Sequence, residues 1–153
     1  MDSQEMYFAF GSNMNQDRMI ERKAFFTKRQ HAKLDGYKLG FYFNNGTGFG
    51  SASIVREPKS VVHGALYTLE KGGLEKLDKF EWVDREGYRR VQVTVELDSG
   101  EKVECTAYIA TEKFFQEGLI PSRTYLNHLL KGKDLLPVEY YKYLENHEYG
   151  EPI

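Results

Sequence analysis

The chain has 153 residues, 41% of them hydrophobic, and a formal net charge of -2, which suits one ordinary domain able to bury a core, expected over 1–153. That charge balance supplies no positive field to gather a phosphate backbone or an anionic lipid surface, so neither nucleic acid nor membrane is expected as a partner. One cysteine and four histidines, scattered without the close pairings of zinc sites, argue for no internal disulfide and give no reason to expect a metal.

The leading segment MDSQEMYFAF has acidic residues and no basic stretch before its short apolar run, and no apolar run approaches the roughly 20 residues that span a bilayer. A cytoplasmic protein is expected. Residues 6–10 read as a first strand ending at Gly11. Met14 to Lys23 reads as a short helix with Met19 and Ile20 as its apolar contacts, and Asn13 with Gln16 three residues later looks like its N-terminal cap. Ala24 to Phe43 reads as extended pieces broken at Asp35-Gly36.

The loop Asn44 to Gly50 follows, and its G-x-G-x-G run resembles a phosphate cradle only superficially, because Ser51 to Val55 reads as a strand where a dinucleotide site needs a helix. Glu57-Pro58-Lys59-Ser60 reads as a turn, and Val61 to Leu69 as a further strand in which Gly64 permits close backbone approach. Lys71-Gly72-Gly73 stops it, and Leu74 to Phe80 reads as a helix. A hairpin is expected from Tyr88 to Leu97 through Asp98-Ser99-Gly100 and back along Lys102 to Ala110. Pro121-Ser122 opens a helix over Arg123 to Lys131, and Pro137 opens a last one through Leu144. Single helices set among many short strands predict an α+β fold, a small mixed β-barrel or strongly curved sheet with flanking helices.

Four places hold residues fit for chemistry. At Gly11-Ser12-Asn13 a strand bends into a helix and presents free N–H groups, a ready site for an anionic oxygen. The plainer alternative is that Asn13 caps the helix and Ser12 completes the turn. A serine nucleophile is disfavoured, because the elbow pattern G-x-S-x-G would need glycines where Phe10 and Met14 stand. In Leu74-Glu75-Lys76-Leu77-Asp78-Lys79-Phe80-Glu81-Trp82, helical spacing sets Glu81 on the apolar stripe of Leu74 and Leu77, where desolvation would raise its pKa. If the helix has already ended, Glu81 points to water instead. In Gly87-Tyr88-Arg89-Arg90 the two arginines face opposite sides of a strand, so one of them turns inward or toward a carboxylate. Tyr125 lies in the first turn of its helix, and either it or Tyr88 can line a pocket or the core.

These pieces, in this order, resemble the γ-glutamylcyclotransferase-like family, which includes γ-glutamylamine cyclotransferases and AIG2-like proteins. YFAFGSNM is similar to that family's YFAYGSNL signature, and LDKFEWV followed by GYRR is similar to its LDxxEG segment with a downstream YxR. The likeness continues through VVHGALYTL and PSRTYLNHLLKGKDLLPVEYYKYL, so it covers most of the chain. It implies the family's barrel fold and cofactor-free cyclisation of a γ-glutamyl amide to 5-oxoproline plus a free amine or amino acid.

It also implies residue roles. Glu81 is the general acid/base, Tyr7, Phe8, Ala9, Phe10, Gly11, Ser12 and Asn13 form the substrate-holding segment, and Tyr125 is a ligand contact; Tyr88 is expected as a further substrate contact on the reading of the residues given above. Phe10 departs from the signature tyrosine, and Trp82 stands where glycine is usual. The expected partner is a small γ-glutamyl substrate, with a monomer and a homodimer equally open. Two other readings stand beside this one: a non-catalytic module for a carboxylate-bearing small molecule, and a cyclotransferase for a γ-glutamylated larger metabolite. The leaving amine is not legible, although the loops Asn44 to Gly50 and Phe114 to Ile120 are expected to shape its side of the pocket.

Overall fold

The structure, a computed structural model, describes residues 5–151; residues 1–4 of the acidic leading segment lie outside the described residues. The first strand, β1 (Glu5–Ala9), is followed by a 3₁₀ turn at Ser12–Met14 and the six-residue helix α1 (Gln16–Glu21). Two long strands come next, β2 (Phe26–Asn44) and β3 (Gly50–Leu69), then helix α2 (Gly73–Phe80) and a second 3₁₀ turn at Val83–Arg85. Strands β4 (Tyr88–Leu97) and β5 (Lys102–Ala110) form a hairpin, and helices α3 (Arg123–Leu130) and α4 (Val138–Glu145) end the chain.

The strands close into a barrel in the order β1-β3-β2-β4-β5. Every pair is antiparallel except the closing one, where β1 runs parallel to β5 at Tyr7 and Thr106. Because β1 is flanked by strands and covered on both faces, Tyr7, Phe8 and Ala9 are all buried. That accounts for an apolar run without alternation in YFAF. Gly64 sits where β3 crosses β1, and a Cβ there would come within 2.3 Å of the Ala9 carbonyl oxygen, so only glycine permits the approach. The expected α+β barrel and the β4–β5 hairpin are both present, with Leu97 and Glu101 bracketing the turn.

Three local expectations need correction. The first helix does not begin at Met14, because the 3₁₀ turn takes residues 12–14 and α1 starts at Gln16. Its cap is Asn15, whose Oδ1 accepts from the Asp17 N–H, and not Asn13. Met19 is buried as expected, but Ile20 is half exposed.

Second, Asp35-Gly36 does not break the strand, because β2 runs on through a register shift between Asp35 and Tyr37. Third, the expected turn at Glu57 to Ser60 is a bulge in the same place. The β3 residue paired with β2 passes there from Arg56, opposite Tyr37, to Val61, opposite Asp35, leaving four exposed or half-exposed residues outside the ladder. Pro58 is tolerated because the bulge demands no N–H from it.

The barrel core is built from Phe8, Leu66, Tyr67, Leu69 and Val95, and Leu77 seals α2 against it. At one end of β1, α3 packs on the 3₁₀ turn and on α4, with Met14 and Leu129 fully buried. Among the described residues no helix is long and apolar enough to cross a membrane.

Candidate active site

Beyond Ala9 the chain bends at Gly11, and the turn is closed by hydrogen bonds from the Met14 N–H to the Gly11 carbonyl at 3.0 Å and from the Asn15 N–H to the Ser12 carbonyl at 3.1 Å. Gly11 faces β3 and α3 closely. A Cβ on it would lie 3.0 Å from the Ala52 Cβ and 3.1 Å from the Tyr125 hydroxyl. The positive end of α1 is not what the bend presents, since α1 begins only after its own cap at Asn15. What it presents is the backbone of the 3₁₀ turn.

Asn13 is buried and bonded on all sides. Its Nδ2 donates to the Tyr7 hydroxyl at 3.0 Å and makes a long contact of 3.5 Å to Glu81 Oε1, while its Oδ1 accepts from Arg22 Nη1 at 3.1 Å. Its carbonyl accepts from the Tyr67 hydroxyl at 2.6 Å. The side-chain amide and the main-chain carbonyl of Asn13 therefore both have partners, as buried polar groups require.

Glu81 stands just past the last residue of α2. Its N–H still donates to the Leu77 carbonyl at 3.0 Å, and its own carbonyl accepts from the Tyr88 N–H at 3.0 Å, so the backbone is pinned between α2 and β4. The helix has ended, yet the side chain does not point to water: 14% of it is exposed. Burial pushes the carboxyl up to about 7, against the lowering pull of Arg22 and Arg18 and with a smaller push from Asp78. Trp82, next in sequence, has φ 54 and ψ 38, the left-handed region that favours glycine. That is the residue the resembled family usually carries there.

Two tyrosines converge on Ala52 in β3. The Ala52 N–H donates to the Tyr125 hydroxyl at 2.8 Å, and the Tyr88 hydroxyl donates to the Ala52 carbonyl at 2.9 Å. Burial raises both phenols, as it does that of Tyr7, so all three stay neutral. Below them Arg90 makes paired hydrogen bonds of 2.9 and 2.7 Å to Asp78, which also accepts from Tyr108 at 2.6 Å. Of the two consecutive arginines, Arg90 is thus the one that meets a carboxylate.

The turn after β1, Glu81 and the two tyrosines on Ala52 surround a cavity of about 230 Å³, and Arg90 and Asp78 lie outside its lining. Tyr7, Phe8, Phe10, Gly11, Ser12, Asn13, Glu81, Tyr88 and Tyr125 all line it. Ala9 is not among the lining residues; it is 1% exposed and paired with Ala65 inside the sheet. Arg18 and Arg22 also line it and were not anticipated, although their four-residue spacing on and just after α1 sets them on one face. Arg18 Nε is buried without a hydrogen-bond partner among the described residues. Ala52 was missed as well, because its role rests on backbone atoms that no side-chain pattern announces. Among the described residues no three His, Cys, Asp or Glu side chains gather as metal ligands.

A protein-family model described as the AIG2-like family matches residues 61–144. Gamma-glutamylcyclotransferase of Bos taurus is 31% identical over 150 residues, covering 94% of this chain and 78% of the relative. The protein of the same name from Homo sapiens is also 31% identical, covering 92% of this chain and 77% of the relative. A solved structure titled gamma-glutamyl cyclotransferase superposes with a TM-score of 0.85 at 29% identity, covering 97% of this chain and 90% of the other.

Proposed function

We propose, since this chain belongs to the AIG2-like, γ-glutamylcyclotransferase family, that it cleaves a γ-glutamyl amide to 5-oxoproline and a free amine, with Glu81 as general base and then general acid. It is an enzyme of the γ-glutamylcyclotransferase type. The observation that carries the mechanism is the Glu81 carboxyl, buried in the wall of the cavity and held at about 7. A group poised there takes and returns protons near neutral pH.

The substrate's α-amine is an ammonium at neutral pH and attacks only after losing a proton to Glu81. Its nitrogen then bonds to the γ-carbonyl carbon, and the carbonyl oxygen becomes an oxyanion. When the intermediate collapses, the bond from the γ-carbon to the leaving nitrogen breaks. The two protons shed by the attacking nitrogen pass through Glu81 to the leaving amine. No water is consumed, and the substrate is neither oxidised nor reduced.

The cavity supports this assignment of roles. The backbone at Gly11 and Ser12 is positioned to receive a substrate oxygen, and donors aimed at a developing oxyanion are worth about 2.7 to 4 kcal/mol. Arg18 and Arg22 line the cavity and place positive charge beside it, which supports binding of the α-carboxylate there. Enclosure in a small cavity holds the glutamyl chain folded, with amine and carbonyl close enough to react. Release of 5-oxoproline from a panel of γ-glutamyl amino acids, γ-glutamyl amines and glutathione tests the reading; ligands bound and left intact would mark a binding module instead.

A further inference from the structure

A second hollow of about 400 Å³ adjoins the cavity and shares Trp82 and Asn45 with it. Its other walls are Asn44, Gly46, Lys113, Phe114, Phe115 and Gln116, drawn from the end of β2, the loop after it and the segment after β5. The two segments are tied together. The Asn44 N–H donates to the Phe114 carbonyl at 2.9 Å, the Gln116 N–H to the Tyr42 carbonyl at 2.7 Å, and Asn44 Nδ2 to Gln116 Oε1 at 3.0 Å. The hollow is therefore built in advance and need not form around a ligand.

Its walls have a definite chemistry. Trp82 meets Phe43 edge to face at 5.9 Å and Phe114 at 6.1 Å. Phe43 in turn stacks on Phe114 at 5.2 Å and on Tyr88 at 4.2 Å. Phe115 stacks on Tyr42 at 5.0 Å and remains 38% exposed. Tyr88, Phe43, Phe114 and Trp82 thus form one aromatic cluster between the cavity and the hollow, and Phe115 with Tyr42 forms a second stacked pair at the hollow's wall. Its polar fringe consists of neutral amides and Lys113, whose ammonium lies 3.9 Å from Glu86.

The cavity proper, at about 230 Å³, lies below the ~300 to 1,000 Å³ of pockets that enclose drug-sized ligands. The second hollow meets this cavity at Trp82 and Asn45, so an amine leaving the cavity on that side enters it. We infer that the second hollow is the leaving-amine subsite and that it takes amines or amino acids bearing an aromatic ring, stacked along Trp82, Phe114 and Phe115. The inference rests on the cyclotransferase reading given above. It makes Trp82 and Phe115 specificity-determining residues for that reaction.

Trp82 is the single tryptophan of the chain, so its emission reports directly on the subsite, independently of turnover. Phenethylamine should change that emission saturably, ethylamine should not, and Phe115→Ala should raise the half-saturating phenethylamine concentration severalfold. In turnover, kcat/KM should favour γ-glutamylphenylalanine over γ-glutamylalanine, and Phe115→Ala should lower that ratio about tenfold, the size of one lost aromatic contact. Turnover of both substrates with a ratio near one, or an emission response that ethylamine matches, overturns the subsite. If phenethylamine shifts the emission while both substrates stay intact, the hollow stands as an aromatic-amine site and the reaction assignment falls.

Discussion

Arg22 Nη1 lies 3.8 Å from Glu81 Oε1, yet the carboxyl is held at about 7, so removal from water outweighs the nearby positive charge. Arg22 spends a closer hydrogen bond, 3.1 Å, on Asn13 and rests its guanidinium on the Phe80 ring at 4.8 Å. It draws the carboxyl down without forming a tight pair that would hold it ionised well below neutral pH. The expected consequence is a kcat/KM that rises as Glu81 ionises through about pH 7. In Arg22→Gln the lowering influence is gone, so this limb should move to higher pH. A limb that stays in place or moves down would show that Arg22 does not act on Glu81.

The same burial has a cost in stability. The carboxyl's pKa rises from its ordinary 4.5 to about 7 on folding. Below pH 4.5 it is protonated in both folded and unfolded chains and costs nothing. Between these values the unfolded chain ionises first, and above about pH 7 the full penalty, about 3 kcal/mol, is present. Glu81→Gln should therefore be more stable than the wild type at pH 8 by about 2 to 3 kcal/mol, with the difference disappearing near pH 4. Urea unfolding at the two pH values measures this, and equal stability at pH 8 would contradict a buried, ionisable Glu81.

The turn after β1 should work through its backbone. The Ser12 hydroxyl makes no hydrogen bond among the described residues, and Ser12→Ala should lower kcat/KM by less than about tenfold, the scale of one neutral hydrogen bond. Gly11→Ala should cost more, because its Cβ would press on Ala52 and the Tyr125 hydroxyl at 3.0 and 3.1 Å. Steady-state kinetics on one γ-glutamyl substrate would rank the two. A Ser12→Ala loss as large as that of Glu81→Gln would reopen a nucleophilic role for the serine.

Much of the architecture could be read from the residues because local chemistry and tertiary packing agree there. The β4–β5 hairpin has alternation and a turn signal, and Ser122 accepts from the Tyr125 N–H at 3.1 Å, as a helix cap should. Where they disagree, packing prevails. Asp35-Gly36 and Pro58 look like breaks in isolation, but the long β2–β3 ladder passes both by shifting register. Asn13 looks like a cap because Asx residues favour caps, whereas burial beside Tyr7, Glu81 and Arg22 makes it a hub and leaves Asn15 to cap α1.

The lining of the cavity was legible where side chains cluster in sequence, at Tyr7, Phe8, Phe10, Gly11, Ser12, Asn13 and Glu81, while Ala9 faces the sheet. Arg18, Arg22 and Ala52 reach the cavity only through the packing of α1 and the register of β3. Glu81 shows the limit of periodicity most sharply: the helix stops one residue short of it, and the side chain is buried all the same. Its position follows from hydrogen bonds to both Leu77 and Tyr88, a tie between elements that no single-helix pattern contains.

Release of 5-oxoproline by Glu81→Gln, compared with the wild type at pH 7.5 and on a γ-glutamyl substrate that the wild type turns over, is the most direct measurement. Gln keeps the shape and can neither take nor return a proton, so kcat should fall by about 10² to 10⁴-fold with KM little changed and the fold intact. A folded Glu81→Gln protein that releases 5-oxoproline at the wild-type rate would contradict the role given to Glu81.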